Sequence, residues 1–285
     1  MSSGVESAPA YLAEVPAIAT LDLRCRVSGE GVHVAVDHDG RWESALGPIG
    51  PGLAALVADS ASGTAVALVD RQVRLSTTAL TLDLFGAPPG SGVVEAVARV
   101  EGARPGPVAP LGSAPGDFVA AIADLRDGTG RTFGRATSWW ARRPGGPPLR
   151  VTEPPPGPEA GEPADALSRT LGIDGLLRGD GTVAFRLARV GDLCNRSYTL
   201  HGGVGALLAQ LAAVASLDPG TRVPQVLSLS VEYHRAAGTD GGPVHVTGTR
   251  VRQGRTSAVA RGEIATADGR PALVATATIA FRAAP

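Results

Sequence analysis

The chain contains no lysine; every one of its basic residues is an arginine. Paired with its wealth of Ala, Gly and Pro, this reads as a GC-rich coding bias and carries no functional weight. Charge of either sign is not in excess. The 26 basic and 27 acidic residues leave a net charge of −1, and no basic run occurs, so no nucleic-acid partner is expected. Cysteine is nearly absent: Cys25 and Cys194 are isolated, so neither a disulfide framework nor a cysteine metal cluster is available. No spacing of His, Cys and carboxylates suggests a metal site, and no cofactor is expected. Aromatics make up only 4% of the residues, so the core must be built from Ala, Val and Leu. The N-terminus lacks the basic start and apolar core of a signal peptide. No segment is expected to span a membrane. A soluble, cytoplasmic protein with no membrane partner is the expectation.

What is present is enough apolar residue, 44%, to fill a proper core in 285 residues. The most informative stretch runs from Cys194 to Ala215. A polar loop, Cys194-Asn195-Arg196-Ser197-Tyr198-Thr199-Leu200, ends in His201-Gly202-Gly203. An apolar run rich in Ala and Leu follows, until Asp218-Pro219-Gly220 stops it. That run is longer than a strand and predicts a helix, apolar on nearly every face and therefore buried. The glycines at its start allow close approach by another backbone or a ligand. The first N–H groups of a helix lack internal partners and lie at the positive end of its dipole, where a carbonyl oxygen or phosphate is stabilised.

Along the chain, Leu21–Val27 and Val32–Val36 alternate as a hairpin, with His33 and His38 expected as exposed strand or loop residues. The loop Gly47-Pro48-Ile49-Gly50-Pro51-Gly52 leads into a second Ala-rich helix over Leu53–Val69, interrupted by Asp59. An ionisable carboxylate in such a helix is costly unless partnered. Strands are predicted at Thr78–Phe85, Val93–Val100, Phe118–Asp124 and Thr132–Trp139, with Asp127-Gly128 as a turn. Residues 142–163 carry Pro-Gly-Gly-Pro-Pro and Glu-Pro-Pro-Pro-Gly-Pro, which read as a semi-stiff linker. The pattern then restarts: a short helix over Ala164–Leu171, a hairpin near Gly175–Leu187, and the His-Gly-Gly helix. Strands follow at Val226–Tyr233, Val244–Gln253, Ser257–Ala265 and Ala272–Phe281, with Asp268-Gly269 as the turn. The halves, 17–141 and 164–285, thus share one order of elements. Gly50-Pro51-Gly52 falls where His201-Gly202-Gly203 falls, and Phe85 where Tyr233 falls. Two copies are too few for a solenoid, so a pseudo-symmetric pair is expected.

Taken together, Asn195, His201-Gly202-Gly203, the buried helix, the strand ending in Tyr233 and Gly254-Arg255 before Asp268-Gly269 resemble a known family. It is the hotdog-fold acyl-CoA thioesterases of the phenylacetyl-CoA/4-hydroxybenzoyl-CoA type. The resemblance spans nearly all of 165–283 and, more weakly, 18–140. It implies an α+β double hotdog: two long antiparallel sheets, each wrapping one buried helix, paired about a pseudo-twofold axis within one polypeptide. It also implies an acyl-CoA or acyl-carrier thioester as substrate, coenzyme A being part of that substrate, and a homodimer of such chains as a further assembly.

In that family a carboxylate lies on the buried helix two turns past its start. Here the second half has Gln210 at that place and the first half has Asp59. The first half has Gly50 where the histidine belongs and Ser44 where the asparagine belongs. The polar residue at the start of the next strand is Thr78, or its neighbour Thr77, in the first half and Val226 in the second. The departures are complementary. The resemblance implies one complete site, with Asp59 and Thr78 from the first half meeting Asn195, His201 and Gly202 from the second. In it, the Gly202 N–H holds the thioester carbonyl and the oxyanion that forms. Asp59 acts as general base or nucleophile. Asn195 orders the water or the loop, His201 supports the loop or the thioester, and Thr78 binds the attacking water. Thr77 and Gly203 adjoin the substrate, and Arg250, Arg252 and Arg255 are candidates for the coenzyme A phosphates. An alternative stands beside this reading: a catalytically silent double hotdog that binds acyl-CoA or another protein.

Overall fold

The computed structural model describes Glu6–Ser7 and residues 15–69, 74–101, 118–143, 165–237 and 243–283. In the first half, β1 (Glu6–Ser7) and α1 (Pro16–Thr20) precede the hairpin β2 (Arg24–Ser28) and β3 (Gly31–His38). Helix α2 (Gly50–Val69) follows, then β4 (Arg74–Leu84), β5 (Gly92–Val100), β6 (Phe118–Asp127) and β7 (Thr132–Arg143). The second half repeats this order: α3 (Ala166–Leu171), β8 (Ile173–Gly179), β9 (Thr182–Leu187), α4 (Gly202–Ala215), β10 (Arg222–Tyr233), β11 (Val244–Gln253), β12 (Ser257–Ala265) and β13 (Pro271–Ala283). Residues 144–163 of the expected linker lie outside the described residues, as does most of the lead-in before Val15.

Among the described residues all strands join one antiparallel sheet of 13, in the order β1-β2-β3-β5-β6-β7-β4-β10-β13-β12-β11-β9-β8. From β2 onward the order reads the same from either end once each strand is exchanged for its counterpart. The expected α+β architecture of two sheets, each around one helix, is therefore present, with the sheets fused edge to edge. The seam is β4 against β10, with Leu82 opposite Leu229 and Leu80 opposite Val231. All four side chains are fully buried. Period-2 alternation sends them inward together, so the seam is part of the core. Pairing β4 with β10 removes what would be an open edge in each half.

Helix α2 begins three residues earlier than the apolar run suggested, because Pro51 is accommodated in the first turn, where no amide hydrogen is needed. At 20 residues it is long and apolar enough, by length and composition, to cross a membrane, contrary to the sequence expectation. Within the fold, 78% of its apolar window is buried, so the sheet takes the place that lipid would hold. Helices α2 and α4 lie side by side and antiparallel. A Cβ on Gly203 would sit 2.8 Å from the Leu56 carbonyl oxygen, and one on Gly52 would sit 3.0 Å from Leu207 Cγ. These two contacts are one contact with the halves exchanged, which places the pseudo-twofold axis between the helices. Helix α4 is also pressed onto the sheet. Added Cβ atoms on Gly248 and Gly262 would overlap the carbonyls of Ala212 and Ala209.

Two local expectations fail. Leu21 does not open a strand; it closes α1, and β2 begins at Arg24. His33 is not exposed: at 3% accessibility it is buried, held by Ser28 at 2.8 Å and Glu95 at 3.1 Å. His38 is half-buried and bonds the Pro89 carbonyl. The partners of His33 come from β2 and β5, which the local alternation of β3 does not reveal.

Candidate active site

The start of α4 is built from the loop before it. The Asn195 carboxamide oxygen accepts from the amides of Ser197 and Thr199, and its Nδ2 donates to the Thr199 hydroxyl at 2.8 Å. Tyr198 adopts a left-handed φ of 53°, and Cys194 and Leu200 close the loop as an isolated bridge. Asn195 therefore orders the loop, and it also borders the cavity that opens between the halves. His201 then caps the helix: its Nδ1 accepts the Gly203 N–H at 3.1 Å. The Gly202 amide lies in the first turn, where helix N–H groups have no internal acceptor.

Asp59, in the third turn of α2, faces this helix start across the interface. A Cβ on Gly202 would lie 2.8 Å from Asp59 Oδ2, and one on Gly203 would lie 3.2 Å from Asp59 Cβ. Here the two glycines are needed for approach, not for a turn. Asp59 Oδ2 is 3.7 Å from His201 Nδ1, and both side chains are buried. The Thr77 hydroxyl donates to Asp59 Oδ1 at 3.0 Å.

The Asp–His contact admits two protonation states. An ion pair would require a proton on Nδ1, but that nitrogen already accepts the Gly203 N–H. Burial also lowers the His201 pKa, opposed by Asp59. The imidazole is therefore neutral, with its proton on Nε2. Burial raises the Asp59 pKa, opposed by His201, the Thr77 hydroxyl and the Gly203 N–H. With the ring neutral, desolvation dominates and holds the Asp59 pKa above the ordinary carboxylate value. A carboxylate with raised pKa beside a helix N-terminus is suited to taking a proton near neutral pH.

A cavity of about 640 Å³ opens at this point, between α2 and β4 of the first half and the Asn195–Gly202 loop of the second. Its wall includes Asp59, Thr77, Asn195, His201 and Gly202. Thr78 also borders it, but its hydroxyl donates to the Trp139 carbonyl at 3.0 Å. Of the two threonines expected at this place, Thr77 is the one whose hydroxyl reaches Asp59, because successive strand residues point to opposite faces and a bulge lies between Thr77 and Ala79. Thr77→Ala should lower turnover by roughly tenfold, as loss of a hydrogen bond to a charged group does, and Thr78→Ala should leave it near the parent value; steady-state kinetics of the two variants checks this.

Arg250, Arg252 and Arg255 are not brought to the cavity. Ile264, which lines it, pairs with Val246 at the other end of β11. The strand then carries Arg250 and Arg252 away at ~3.3 Å per residue. Arg250 bonds Asp180 at 2.7 Å, the Arg255 carbonyl accepts from Arg222, and Arg252 is exposed. The arginines on the cavity wall are Arg196 and Arg235. Neither is among the sequence-predicted site residues, nor is Tyr233, whose hydroxyl donates to the Gly202 carbonyl at 3.2 Å. Burial, with Asp59 adding to it, raises that phenol well above its ordinary pKa, so it is a permanent donor. The position of Tyr233 as the last residue of β10 was the available signal.

The pseudo-equivalent position holds no ionisable group among its counterparts. Ser44 Oγ accepts the Leu46 amide, and Gly50 packs against Pro88. Val226 is buried. Gln210 is fully buried; its Nε2 reaches the Pro48 carbonyl at 3.4 Å, and its Oε1 has no hydrogen-bond partner among the described residues. Burial pushes both Cys25 and Cys194 thiols up to about 11, so neither is a nucleophile at neutral pH. Among the described residues no group of three or more His, Cys, Asp or Glu is placed to hold a metal ion.

Residues 191–281 match a family model described as the acyl-CoA thioesterase N-terminal domain. The match begins just before Asn195, includes His201-Gly202-Gly203 and ends in β13; although described as N-terminal, it falls on the second half here. No curated protein sequence matches the chain. Among solved structures, the chain is similar to the tesB protein of Mycobacterium avium subsp. paratuberculosis, at 14% identity and a TM-score of 0.54, covering 93% of this chain and 98% of that one. It is similar to an acyl-CoA thioesterase II from Mycobacterium marinum, at 14% identity and a TM-score of 0.53, covering 93% and 96%. A protein of unknown function from Alicyclobacillus acidocaldarius, described as having the hot dog fold, matches at 15% identity and a TM-score of 0.51, over 89% and 94%. The fold is the hotdog fold, present twice in one chain.

Proposed function

We propose that this chain hydrolyses an acyl-CoA or acyl-carrier thioester at the single composite site between its halves. The observation that carries this reading is the buried Asp59 carboxylate of α2 facing the His201-Gly202 start of α4 across an open cavity. The match of residues 191–281 to an acyl-CoA thioesterase domain supports the same reading. The thioester carbonyl oxygen accepts from the Gly202 N–H, with the α4 dipole behind it. Asp59 takes a proton from water as the water adds to the carbonyl carbon, or its carboxylate attacks that carbon directly. The negative charge that develops on oxygen rests at the helix start. Collapse expels the thiolate, which takes up the proton held by Asp59; on the direct-attack route the thiolate takes its proton from water, and a second water cleaves the acyl–Asp59 anhydride to release the acid and restore the carboxylate. The neutral His201 keeps the amide array in place, Thr77 fixes the carboxylate, and Tyr233 fixes the Gly202 carbonyl, in the peptide that carries the Gly203 N–H. This division of labour, carboxylate from one half and N–H donors from the other, follows the phenylacetyl-CoA/4-hydroxybenzoyl-CoA pattern.

The test is hydrolysis of acyl-CoAs of graded size by the purified chain, with the same acyl groups on N-acetylcysteamine and on a carrier protein, free thiol being the readout. Release of thiol that Asp59→Asn abolishes supports the proposal. Retained binding of acyl-CoA with no thiol released from any substrate would favour the silent binding module. Arg196→Ala and Arg235→Ala should raise KM for the CoA substrates and leave the N-acetylcysteamine ones unchanged, since only the former carry phosphates.

A further inference from the structure

Beyond the reacting groups, the cavity has an apolar arm that the chemistry above does not use. It follows α2 away from Asp59. Ser60, Gly63, Thr64 and Ala67 line it at helical spacing, one face over about 12 Å at 1.5 Å per residue. The hydroxyls on this face are turned back on the helix: Ser60 Oγ donates to the Leu56 carbonyl and Thr64 Oγ1 to the Ser60 carbonyl, each at 2.8 Å. They offer the arm carbon rather than donors. Trp140 of β7 lies against this face. Its indole is 6% exposed, and its N–H is satisfied by Ser138 Oγ at 2.8 Å. The six-membered ring is seated on Gly63: a Cβ there would fall 2.7 Å from Cη2 and 3.3 Å from Cζ2 and Cζ3.

We propose that this arm receives the acyl group and that Trp140, seated on Gly63, sets the size of acyl group accepted. This rests on the thioesterase reading of the site. The thioester is fixed at Gly202 and Asp59, and the polar wall with Arg196 and Arg235 suits the phosphate-bearing leaving group. The wall along α2 has the satisfied hydroxyls of Ser60 and Thr64, small side chains and an aromatic face, which suits an uncharged hydrocarbon and disfavours a charged acyl terminus. Gly63 is what lets the indole lie against the helix; any larger residue pushes the ring into the arm and narrows it.

The experiment compares the parent with Trp140→Ala, Trp140→Phe and Gly63→Ala on straight-chain and aromatic acyl-CoAs of increasing size. Trp140→Ala should raise the kcat/KM ratio of a long over a short acyl group by roughly tenfold or more, the range that one or two methylenes command in an apolar pocket. Trp140→Phe should shift it less, and Gly63→Ala should shift it the opposite way with the shortest substrates spared. Because Trp140 also packs against Val66, Val119 and Ala121, thermal melts accompany the kinetics. If Trp140→Ala does not fold, the Gly63→Ala and Trp140→Phe profiles decide. A second readout needs no turnover. In Asp59→Asn, acyl-CoAs bearing bromine along the chain should quench tryptophan fluorescence, and the quenching should be lost in Asp59→Asn/Trp140→Phe although Trp42 and Trp139 remain. Absence of hydrolysis by the parent on every substrate would remove the thioesterase reading. Hydrolysis with a size profile that none of the folded variants moves would leave that reading standing and overturn the role of Trp140.

Discussion

Asp59→Asn should abolish hydrolysis and at the same time make the protein more stable at neutral pH. Loss of a positioned general base costs roughly 10²–10⁴-fold in rate, and loss of a nucleophile no less. Gln210→Ala, at the position related to Asp59 by the pseudo-twofold axis, should leave the rate near the parent value, since Gln210 does not border the cavity. The stability effect follows from burial. Desolvation raises the folded-state pKa of Asp59 above its ordinary value of 3.8. As pH rises past the unfolded value, the unfolded chain releases its proton before the folded protein does, so stability falls until the folded pKa is passed. Below the unfolded value the carboxyl is neutral in both states and the penalty vanishes. Asparagine keeps the shape and carries no charge. Its melting temperature should therefore exceed the parent's at pH 7 and converge on it as pH falls toward 3.8. The same shift should give the parent a kcat/KM that rises with pH through an inflection above the ordinary carboxylate range. Equal melting curves at both pH values, or equal and mild rate losses at Asp59 and Gln210, would defeat the composite-site argument.

Gly262→Val should destabilise the chain and damage the site together. The new Cβ would land on the Ala209 backbone carbonyl, which no side-chain rotation can clear. Overpacking a core position typically costs about 1–3 kcal/mol, and a backbone collision belongs at the upper end of that range. To make room, α4 must lift off β12. Its first turn then moves relative to Asp59, and catalysis that depends on sub-ångström placement fails with it. A melting temperature lowered by several degrees, with kcat/KM reduced more than tenfold in whatever fraction remains folded, is the expected pair of results. Gly254→Ala is the control: the nearest atom to its Cβ would be the Ser257 carbonyl oxygen at 3.6 Å, ordinary contact, and neither quantity should change. A Gly262→Val protein with parental stability and activity would mean that α4 is not pressed onto the sheet as described.

Periodicity and composition located the two long helices and nearly every strand, because a core of Ala, Val and Leu leaves a 3.6- or 2-residue rhythm. The sequence also determined the division of polar groups between the halves: Asp59 in one, Asn195 and His201-Gly202 in the other, with Gln210 and Gly50 as blank counterparts. Spacing from a helix start is a one-dimensional quantity, and it survives folding unchanged. What the tertiary structure decided are matters of register and environment. Thr77 rather than Thr78 holds Asp59, because a bulge shifts which strand residue faces in. Arg250, Arg252 and Arg255 point to the far end of β11, while Arg196 and Arg235 reach the cavity, because strand direction is set by pairing partners far away in sequence. The indole of Trp140 meets Gly63 only once β7 has crossed α2. The neutral His201 and the raised pKa of Asp59 come from burial at an interface between two halves of the chain. Desolvation is a property of the surroundings that no segment carries by itself.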